Sequence, residues 1–243
     1  MNPIEIIPAI DIIDGQCVRL TRGDYATRKV YGEDPVLVAK EFEDAGIRRL
    51  HVVDLDGARS GHIVNAKVLE AITTSTSLHV DFGGGIKTDQ DIELAFNSGA
   101  SQVTGGSIAV SQRSLFISWK QKYGSERIIL GADVRDEMVS ISGWQQETGM
   151  DLSDFLNDYQ RQGIRHVVCT DIACDGMLEG PSTDLYARLV SDFPLLRMVA
   201  SGGVSSMDDI RELQKTGVWG VIVGKALYEG RININELVNE FIG

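Results

Sequence analysis

Four aspartates end apolar, strand-like runs and are the first candidates for chemistry in this sequence. Asp11 and Asp133 end the first and fifth runs, and Asp54 and Asp171 end the second and sixth. A carboxylate at the end of an apolar strand is costly to bury unless it has partners or a chemical task. Two carboxylates in different environments can serve as a general base and a general acid. Such a residue can instead cap the following helix, and for Asp54 this interpretation carries equal weight.

Glycine pairs follow apolar runs at two places, Gly84-Gly85 and Gly202-Gly203, which are 118 residues apart. Each pair precedes a helical pattern, a second apolar run and a further glycine, Gly106 in the first copy and Gly224 in the second. Glycine lets the backbone approach an anion and present its N–H groups. One copy alone would indicate an ordinary turn, but two copies predict two phosphate sites and a ligand with two phosphates. Side chains that could add hydroxyl groups and a charge there are Ser107, Ser201 and Lys225.

Other residues near the same strand ends could bind the rest of such a ligand. Arg19 could meet a phosphate or a carboxylate through two hydrogen bonds. Trp144 could stack on a flat ring, or it could simply pack a loop. Thr170, beside Asp171, could hydrogen-bond a hydroxyl group of the ligand. Asp175 could be a turn residue or an acid above the mouth of the site.

Strand-like and helix-like patterns alternate along the chain and must position these residues. The strand-like runs are rich in Val and Ile and mostly continuous, as expected for parallel strands covered on both faces. They are Ile4–Ile10, Leu50–Asp54, Leu78–Phe82, Gln102–Thr104, Ile128–Asp133, His166–Thr170, Arg197–Ala200 and Gly220–Val223. Helical patterns lie near residues 35–45, 64–73, 88–98, 111–123, 151–161, 182–192, 206–216 and 233–242. This alternation predicts an α/β fold, a (β/α)8 TIM barrel with its active site at the carboxyl ends of the strands.

The repeat extends beyond the glycine pairs, because Asp54 resembles Asp171 at an offset of 117 residues. We therefore expect a single barrel domain over residues 1–243. Duplication of a half-barrel would give it two-fold pseudo-symmetry, with halves of about 1–123 and 124–243.

Two segments are longer than ordinary connecting loops, and both follow the carboxyl end of a strand. Thr21–Tyr31, after the first strand, is polar, whereas Asp136–Trp144, after the fifth, is predicted to form a short hairpin or lid. Segments of this kind often close over a substrate.

The composition excludes several classes of partner. The net charge of −12 argues against nucleic acid or an anionic membrane. No apolar run approaches the ~20 residues of a membrane span, and the first residues lack the features of a signal peptide. The three cysteines, Cys17, Cys169 and Cys174, indicate a reducing compartment. We expect a cytoplasmic protein, and we expect it to be a monomer.

The sequence predicts chemistry without a cofactor. Its four histidines show no spacing typical of metal ligands, so no metal site is expected. No G-x-G-x-x-G or Walker motif opens a helix, so no nucleotide cofactor is expected either. The expected partner is a small bis-phosphorylated molecule.

Over nearly its whole length the chain resembles the aminoaldose–ketose isomerases of histidine biosynthesis, the phosphoribosylformimino-5-aminoimidazole carboxamide ribotide isomerase family. The motifs that carry this resemblance are Ile7-Pro8-Ala9-Ile10-Asp11, Arg19-Leu20, Arg22-Gly23-Asp24-Tyr25, His51-Val52-Val53-Asp54-Leu55-Asp56-Gly57-Ala58, Gly83-Gly84-Gly85-Ile86, Ser142-Gly143-Trp144, Thr170-Asp171-Ile172, Asp175-Gly176, Ser201-Gly202-Gly203-Val204 and Val223-Gly224-Lys225-Ala226-Leu227. They occur in the family's order.

The resemblance implies an Amadori rearrangement of an aminoaldose that carries a phosphoribosyl group at each end. Asp11 would be the base that removes the C2 proton of the ribose. Asp133 is the acid usually assigned in the family, and Asp175 is an alternative for that role. Trp144 would stack on the aminoimidazole ring. Such chemistry needs only proton transfers, in agreement with the lack of cofactor signals.

Related barrels are the alternatives to this reading. The imidazole-glycerol-phosphate cyclase usually has Lys-Gly where this chain has Arg19-Leu20, and phosphoribosylanthranilate isomerase is usually shorter. A bifunctional isomerase, which also takes phosphoribosylanthranilate, typically has Arg where this chain has Ser142. A phosphosugar-binding barrel without catalysis would be expected to lack Asp11 or Asp133, and both are present.

The chain departs from the family pattern beside the first glycine site. Asp81 stands two residues before Gly83-Gly84-Gly85, and Lys87 stands where the family often has Arg. A carboxylate beside an anion site is unfavourable unless it points away. The departure makes the prediction of a phosphate site at this loop weaker than the prediction at Gly202-Gly203.

Overall fold

A computed structural model describes residues 3–141, 143–144 and 146–242 of the protein. The strands are β1 (Glu5–Ile13), β2 (Gln16–Thr21), β3 (Asp24–Gly32), β4 (Arg49–Asp54), β5 (His79–Gly83), β6 (Gln102–Gly105), β7 (Ile128–Arg135), β8 (Met138–Ile141), β9 (Gln146–Asp151), β10 (His166–Asp171), β11 (Arg197–Ser201) and β12 (Gly220–Val223). The helices are α1 (Pro35–Asp44), α2 (Leu55–Ser60), α3 (Ala66–Ser75), α4 (Asp89–Asn97), α5 (Ser107–Ser111), α6 (Arg113–Tyr123), α7 (Leu152–Arg161), α8 (Thr183–Asp192), α9 (Met207–Thr216), α10 (Lys225–Tyr228) and α11 (Ile234–Phe241).

Eight parallel strands close into a barrel. Their order around the ring is β1, β4, β5, β6, β7, β10, β11 and β12, and β12 pairs again with β1. The other four described strands are antiparallel additions: β2 pairs with β1 and β3 with β2, while β8 pairs with β7 and β9 with β8. The predicted (β/α)8 TIM barrel is therefore confirmed.

Alternation along each strand divides the buried residues between two cores. Ile10 and Val52 belong to the large cluster between the barrel and its helices. Ala9, Val168 and Val199 belong to a smaller apolar cluster on the opposite faces of their strands, inside the barrel. Both faces of the strands are thus covered, which explains why the strand-like runs were apolar without interruption.

Matched capping boxes begin two helices that follow the glycine pairs. Thr88 and Asp91 exchange side-chain and backbone hydrogen bonds at the start of α4. Ser206 and Asp209 make the same exchange at the start of α9. Such boxes satisfy N–H groups that would otherwise lack partners and fix where each helix begins. The loops carrying the glycines are therefore anchored alike at the two places.

The segment Thr21–Tyr31, expected to be a polar loop, is mostly a hairpin formed by β2 and β3. Arg22 and Gly23, with φ of 50° and 70°, make its tight turn, as the twist of a two-residue hairpin requires. The side chains of β3 are mainly exposed or half-exposed. An exposed strand has no buried face, so the apolar alternation that would have revealed it is missing.

The predicted hairpin at Asp136–Trp144 is present and longer than expected, because β9 continues to Asp151. Ser142 lies within this segment but outside the described residues. It is the position at which a bifunctional isomerase typically has Arg. The first strand also extends beyond Ile10 to Ile13, because β2 provides it with a partner there. The short helices α2, α5 and α10 did not appear in the prediction, since each is too brief to show a helical period.

Candidate active site

A cavity of about 260 Å³ opens at the carboxyl ends of the barrel strands. The predicted site residues that line it are Asp11, Arg19, Gly84, Gly85, Gly106, Ser107, Asp133, Trp144, Thr170, Asp175, Ser201, Gly202, Gly203, Gly224 and Lys225. Asp171 is the predicted site residue that does not. The cavity is thus at the end of the barrel where enzymes of this fold carry out chemistry.

Asp11 is held by an ion pair with Arg19. The guanidinium donates from Nη1 to Oδ2 of Asp11 at 2.8 Å and from Nη2 to the carbonyl oxygen of Ala9. The two charged side chains are only 12% and 16% exposed. Burial opposes the charge of Arg19, but the charge of Asp11, together with smaller contributions that include Asp175, raises the pKa of the guanidinium. The arginine predicted to meet the ligand is therefore also the residue that orients Asp11.

Asp133 faces the same cavity from β7. Oδ2 accepts a hydrogen bond from the indole Nε1 of Trp144 at 2.9 Å. Burial raises the pKa of Asp133, while hydrogen bonds from Trp144 and Thr170 and the charge of His51 act in the opposite direction. Its carboxylate form therefore has two donors, although it lies away from bulk water.

Asp175 lies in the loop after β10, and its acidity is strongly altered. Burial and the charge of Asp11 raise the pKa of Asp175 to about 6, although Arg19 and Lys225 favour its ionised form. Its carbonyl oxygen accepts from the backbone N–H of Arg22 at 3.3 Å, which links this loop to the β2–β3 turn. A carboxyl group with this pKa can hold and release a proton near neutral pH.

The two glycine loops pack against equivalent parts of the barrel. A Cβ on Gly84 would overlap the carbonyl oxygen of Asp54, and a Cβ on Gly202 would lie 2.8 Å from that of Asp171. Both glycines have positive φ, 95° and 96°. The close approach and the backbone conformation both require glycine. These loops therefore present bare backbone to the cavity at two places, as the repeat predicted.

Asp54 and Asp171 hold loops and do not face the cavity. Asp54 is fully buried and accepts from the backbone N–H groups of Gly57, Val64 and Asn65 at 2.7 to 2.8 Å. Asp171 accepts from the N–H of Ala173 and the hydroxyl of Ser182. Of the four strand-end candidates, Asp11 and Asp133 line the cavity, whereas Asp54 and Asp171 are placed to fix their loops.

The remaining predicted polar residues stand at the second glycine loop and nearby. Thr170 and Ser201 are 7% and 8% exposed. Lys225 donates from Nζ to the carbonyl oxygen of Gly176 at 2.8 Å and to the hydroxyl of Thr21 at 3.3 Å. Lys225 thereby connects the loop after β12 with the loop that carries Asp175.

Four polar residues that line the cavity in the described part of the chain were missing from the predicted site: Tyr25, His51, Lys87 and Thr104. Lys87 had a signal, because it follows the glycine triplet where the family often has Arg, and burial lowers its pKa. His51 had none, since a histidine inside an apolar strand is usually a packed residue. Asp81 does not line the cavity; Oδ2 lies 2.5 Å from Nδ1 of His51. The carboxylate is thus paired with His51 and is not directed into the cavity.

No group of three or more His, Cys, Asp or Glu side chains in the described part of the chain is arranged to hold a metal ion. None of the described helices is long and apolar enough to cross a membrane.

Comparison with known proteins identifies close relatives. A relative in Bacteroides thetaiotaomicron is 61% identical over 234 residues, which covers 96% of this chain and 98% of the relative. One in Parabacteroides distasonis is 59% identical, covering 97% of this chain and 98% of the relative. One in Flavobacterium johnsoniae is 55% identical, covering 99% and 100%. All three are named 1-(5-phosphoribosyl)-5-((5-phosphoribosylamino)methylideneamino)imidazole-4-carboxamide isomerase.

A family model described as histidine biosynthesis protein matches residues 5–233. The match begins with the first barrel strand and continues beyond the last, so it includes every residue of the cavity described above. The chain therefore belongs to the histidine biosynthesis protein family.

Proposed function

We propose that this protein is an aminoaldose–aminoketose isomerase, an intramolecular oxidoreductase that acts on the imidazole carboxamide compound for which its relatives are named. The observation that carries the proposal is one cavity in which Asp11, Asp133 and Asp175 lie between two glycine loops. The 61% identity to an isomerase named for this substrate supports it.

The reaction needs an acid and a base and no external electron acceptor. A proton delivered to the ring oxygen of the ribose opens the sugar to an iminium ion. Removal of the C2 proton then gives an enaminol, and protonation at C1 with loss of the hydroxyl proton at C2 gives the aminoketose. Hydrogen moves from C2 to C1 within one molecule, so atoms and electrons balance.

Asp11 is the base in this scheme. Arg19 donates to one carboxylate oxygen, Oδ2, and so fixes the orientation of the group. A base must hold the geometry of a hydrogen bond to the proton that it removes. The ion pair provides that geometry before the substrate binds.

Asp175 is our choice for the acid. Like charges and burial favour its protonated form, with a pKa of about 6. Burial also raises the pKa of Asp133, but this group accepts hydrogen bonds from Trp144 and Thr170, and such donors favour the carboxylate. Asp133 would then orient the substrate, and it is the alternative acid that the mutant comparison below tests.

The glycine loops would bind the terminal phosphates through backbone N–H groups, with Lys87 beside the first loop and Lys225 beside the second. A protein with a net charge of −12 needs such local positive groups to hold a bis-phosphorylated ligand. Trp144 would stack on the imidazole ring between them.

The first test is turnover of this aminoaldose by the purified protein in EDTA, beside Asp11→Asn. We expect wild-type conversion that does not depend on metal and a loss of at least about a hundredfold in the variant. Binding without turnover by the wild type would overturn the isomerase and favour a phosphosugar-binding barrel. Equal turnover by both proteins would overturn the role of Asp11.

We further propose a cytoplasmic monomer with one barrel domain built from two duplicated halves. The support for the compartment is that Cys17, Cys169 and Cys174 are all unpaired. Light scattering coupled to gel filtration should give a mass near 26.6 kDa, and twice that value would contradict the monomer.

A further inference from the structure

Three polar side chains form a buried row inside the barrel, one each from β4, β5 and β6. Nδ1 of His51 lies 2.5 Å from Oδ2 of Asp81, and the hydroxyl of Thr104 donates to Oδ1 of Asp81 at 2.6 Å. The His51 and Asp81 side chains are 12% and 10% exposed. Both oxygens of the carboxylate therefore have a partner, and the imidazole stands between the carboxylate and the cavity that it lines.

The barrel does not need this polar row for packing. At offsets of 117 and 118 residues, the corresponding positions in the second half are Val168, Val199 and Ile222. The register agrees, because His51 pairs with Asp81 and Val168 pairs with Val199. The three apolar residues belong to one cluster inside the barrel. A buried ion pair seldom stabilises a fold more than apolar residues of similar volume, so the polar row calls for a chemical explanation.

His51 faces charged groups from several strands. Asp81 on β5 and Asp11 on β1 attract a positive charge there, and Arg19 on β2 opposes it. On β7, Asp133 is favoured as a carboxylate by the charge of His51. Burial acts against the imidazolium, but the charge and the hydrogen bond of Asp81, together with the charge of Asp11, raise the pKa of His51 above 6.5. Since Asp81 uses Nδ1, Nε2 is the ring nitrogen available to the cavity.

We propose that Asp81 is a positioning residue that acts through His51, holding it as an imidazolium that offers Nε2–H to the substrate between Asp11 and Asp133. The assignment rests on the isomerase function proposed above. A fixed positive donor at this place keeps Asp133 ionised and can hydrogen-bond a sugar oxygen throughout the reaction.

The test compares Asp81→Asn with the wild type across about pH 6 to 9, the range in which histidine loses its proton. Without the carboxylate, burial lowers the pKa of His51. The variant should approach wild-type kcat/KM at the acid end and fall about tenfold or more below it at the alkaline end. Each unit by which the pKa falls reduces the imidazolium fraction about tenfold. Since Asp175 is common to both proteins, its own titration cancels in the ratio.

Two further measurements separate this role from a structural one. Ring NMR signals of His51, identified by their loss in His51→Gln, should titrate at lower pH in Asp81→Asn. The double variant should be no less active than His51→Gln alone, because Asp81 acts only through the imidazole. Glu126→Gln is the matched control, since Glu126 lies 3.1 Å from the buried His166, which does not line the active-site cavity. For Glu126→Gln, the ratio of the variant's kcat/KM to that of the wild type should not change with pH.

A pH-independent loss in Asp81→Asn, an unchanged titration of His51, or additive losses in the double variant would each overturn the proposal. These results differ from failure of the proposed function, in which the wild type itself does not turn over. The NMR titration is read without activity and checks the charge of His51 in either case.

Discussion

The indole Nε1 of Trp144 donates to Oδ2 of Asp133 at 2.9 Å and so ties the turn between β8 and β9 to the barrel. Trp144 has a φ of 69°, in the left-handed region that bulky residues rarely occupy. Its ring also packs against the β2–β3 turn, where a Cβ on Gly23 would lie 2.6 Å from it. One tryptophan therefore connects both hairpins to a candidate catalytic carboxylate.

Substituting Trp144→Phe should raise the pKa of Asp133, because it removes a donor that favours the carboxylate. We expect kcat/KM to fall about tenfold to a hundredfold, as for loss of one hydrogen bond to a charged group. The part of the kcat/KM profile that reflects the titration of Asp133 should move to higher pH. Trp119→Phe is a matched control, since Trp119 donates to Asp89 outside the cavity. Equal effects of the two variants on KM would contradict a role for Trp144 in binding.

Substituting Asp175→Asn should lower kcat/KM by about 10² to 10⁴, the usual contribution of a general acid. Asp133→Asn should cost less if Asp133 only orients the substrate. The wild-type profile of kcat/KM should descend above a pH of about 6, where Asp175 loses its proton. A larger loss in Asp133→Asn than in Asp175→Asn would reverse the two roles.

Asp175→Asn should also stabilise the protein at alkaline pH. The pKa of Asp175 is raised from 3.8 to about 6 on folding, so the folded state binds its proton more tightly than the unfolded state. Ionisation of Asp175 therefore destabilises the folded wild-type protein. This effect is absent below about pH 4 and fully present above about pH 6. At about 1.4 kcal/mol per pKa unit, it reaches up to about 3 kcal/mol. Thermal unfolding of Asp175→Asn should show a higher Tm than wild type at pH 8 and no gain at pH 4.

Asp54 and Asp11 should respond in opposite ways to replacement by Asn. Asp54→Asn leaves backbone N–H groups facing an amide in a fully buried place, and should cost at least about 2 kcal/mol in the free energy of unfolding. Its kcat per folded molecule should persist. Asp11→Asn should unfold near the wild-type temperature and lack turnover. Loss of turnover in a well-folded Asp54→Asn would return that residue to the catalytic set.

Gly84→Ala should destabilise the protein more than Gly61→Ala. Both glycines have positive φ, but a Cβ on Gly61 meets nothing within 4 Å, whereas one on Gly84 overlaps the backbone of Asp54. Gly61→Ala measures the conformational cost alone, about 1 to 2 kcal/mol. Chemical denaturation of both variants isolates the cost of the clash, and equal losses would show that the loop moves to accommodate the methyl group.

Strand parity explains which parts of the site the sequence could predict. Position at a strand end correctly suggested that Asp11 and Asp133 face the cavity, and wrongly suggested the same for Asp54 and Asp171. Asp11 pairs in register with Val53, whereas Asp54 pairs with Ile12 on the next row. Successive residues of a strand point to opposite faces, so a difference of one position sends a carboxylate into the barrel or into the shell of helices.

The same parity places Asp133 beside Thr170, while Asp171 pairs with Val134. Val134 belongs to the large cluster between the barrel and its helices. Residues in register with it, including Asp171, therefore point away from the cavity. Register between strands is a property of the closed barrel, and one sequence does not contain it. The glycine loops were predictable because their repeat is visible in the chain, whereas His51 became a candidate only when its neighbours on β5 and β1 were known.

The apolar row of Val168, Val199 and Ile222 bears on the direction in which a ligand lies. A cavity with two like halves would accept a molecule phosphorylated at both ends in either of two orientations, and only one of these brings the reacting sugar to Asp11. The row of His51, Asp81 and Thr104 has no polar counterpart across the barrel. The two halves are thereby made chemically unlike inside the barrel, and this difference would favour one orientation of a nearly symmetric substrate.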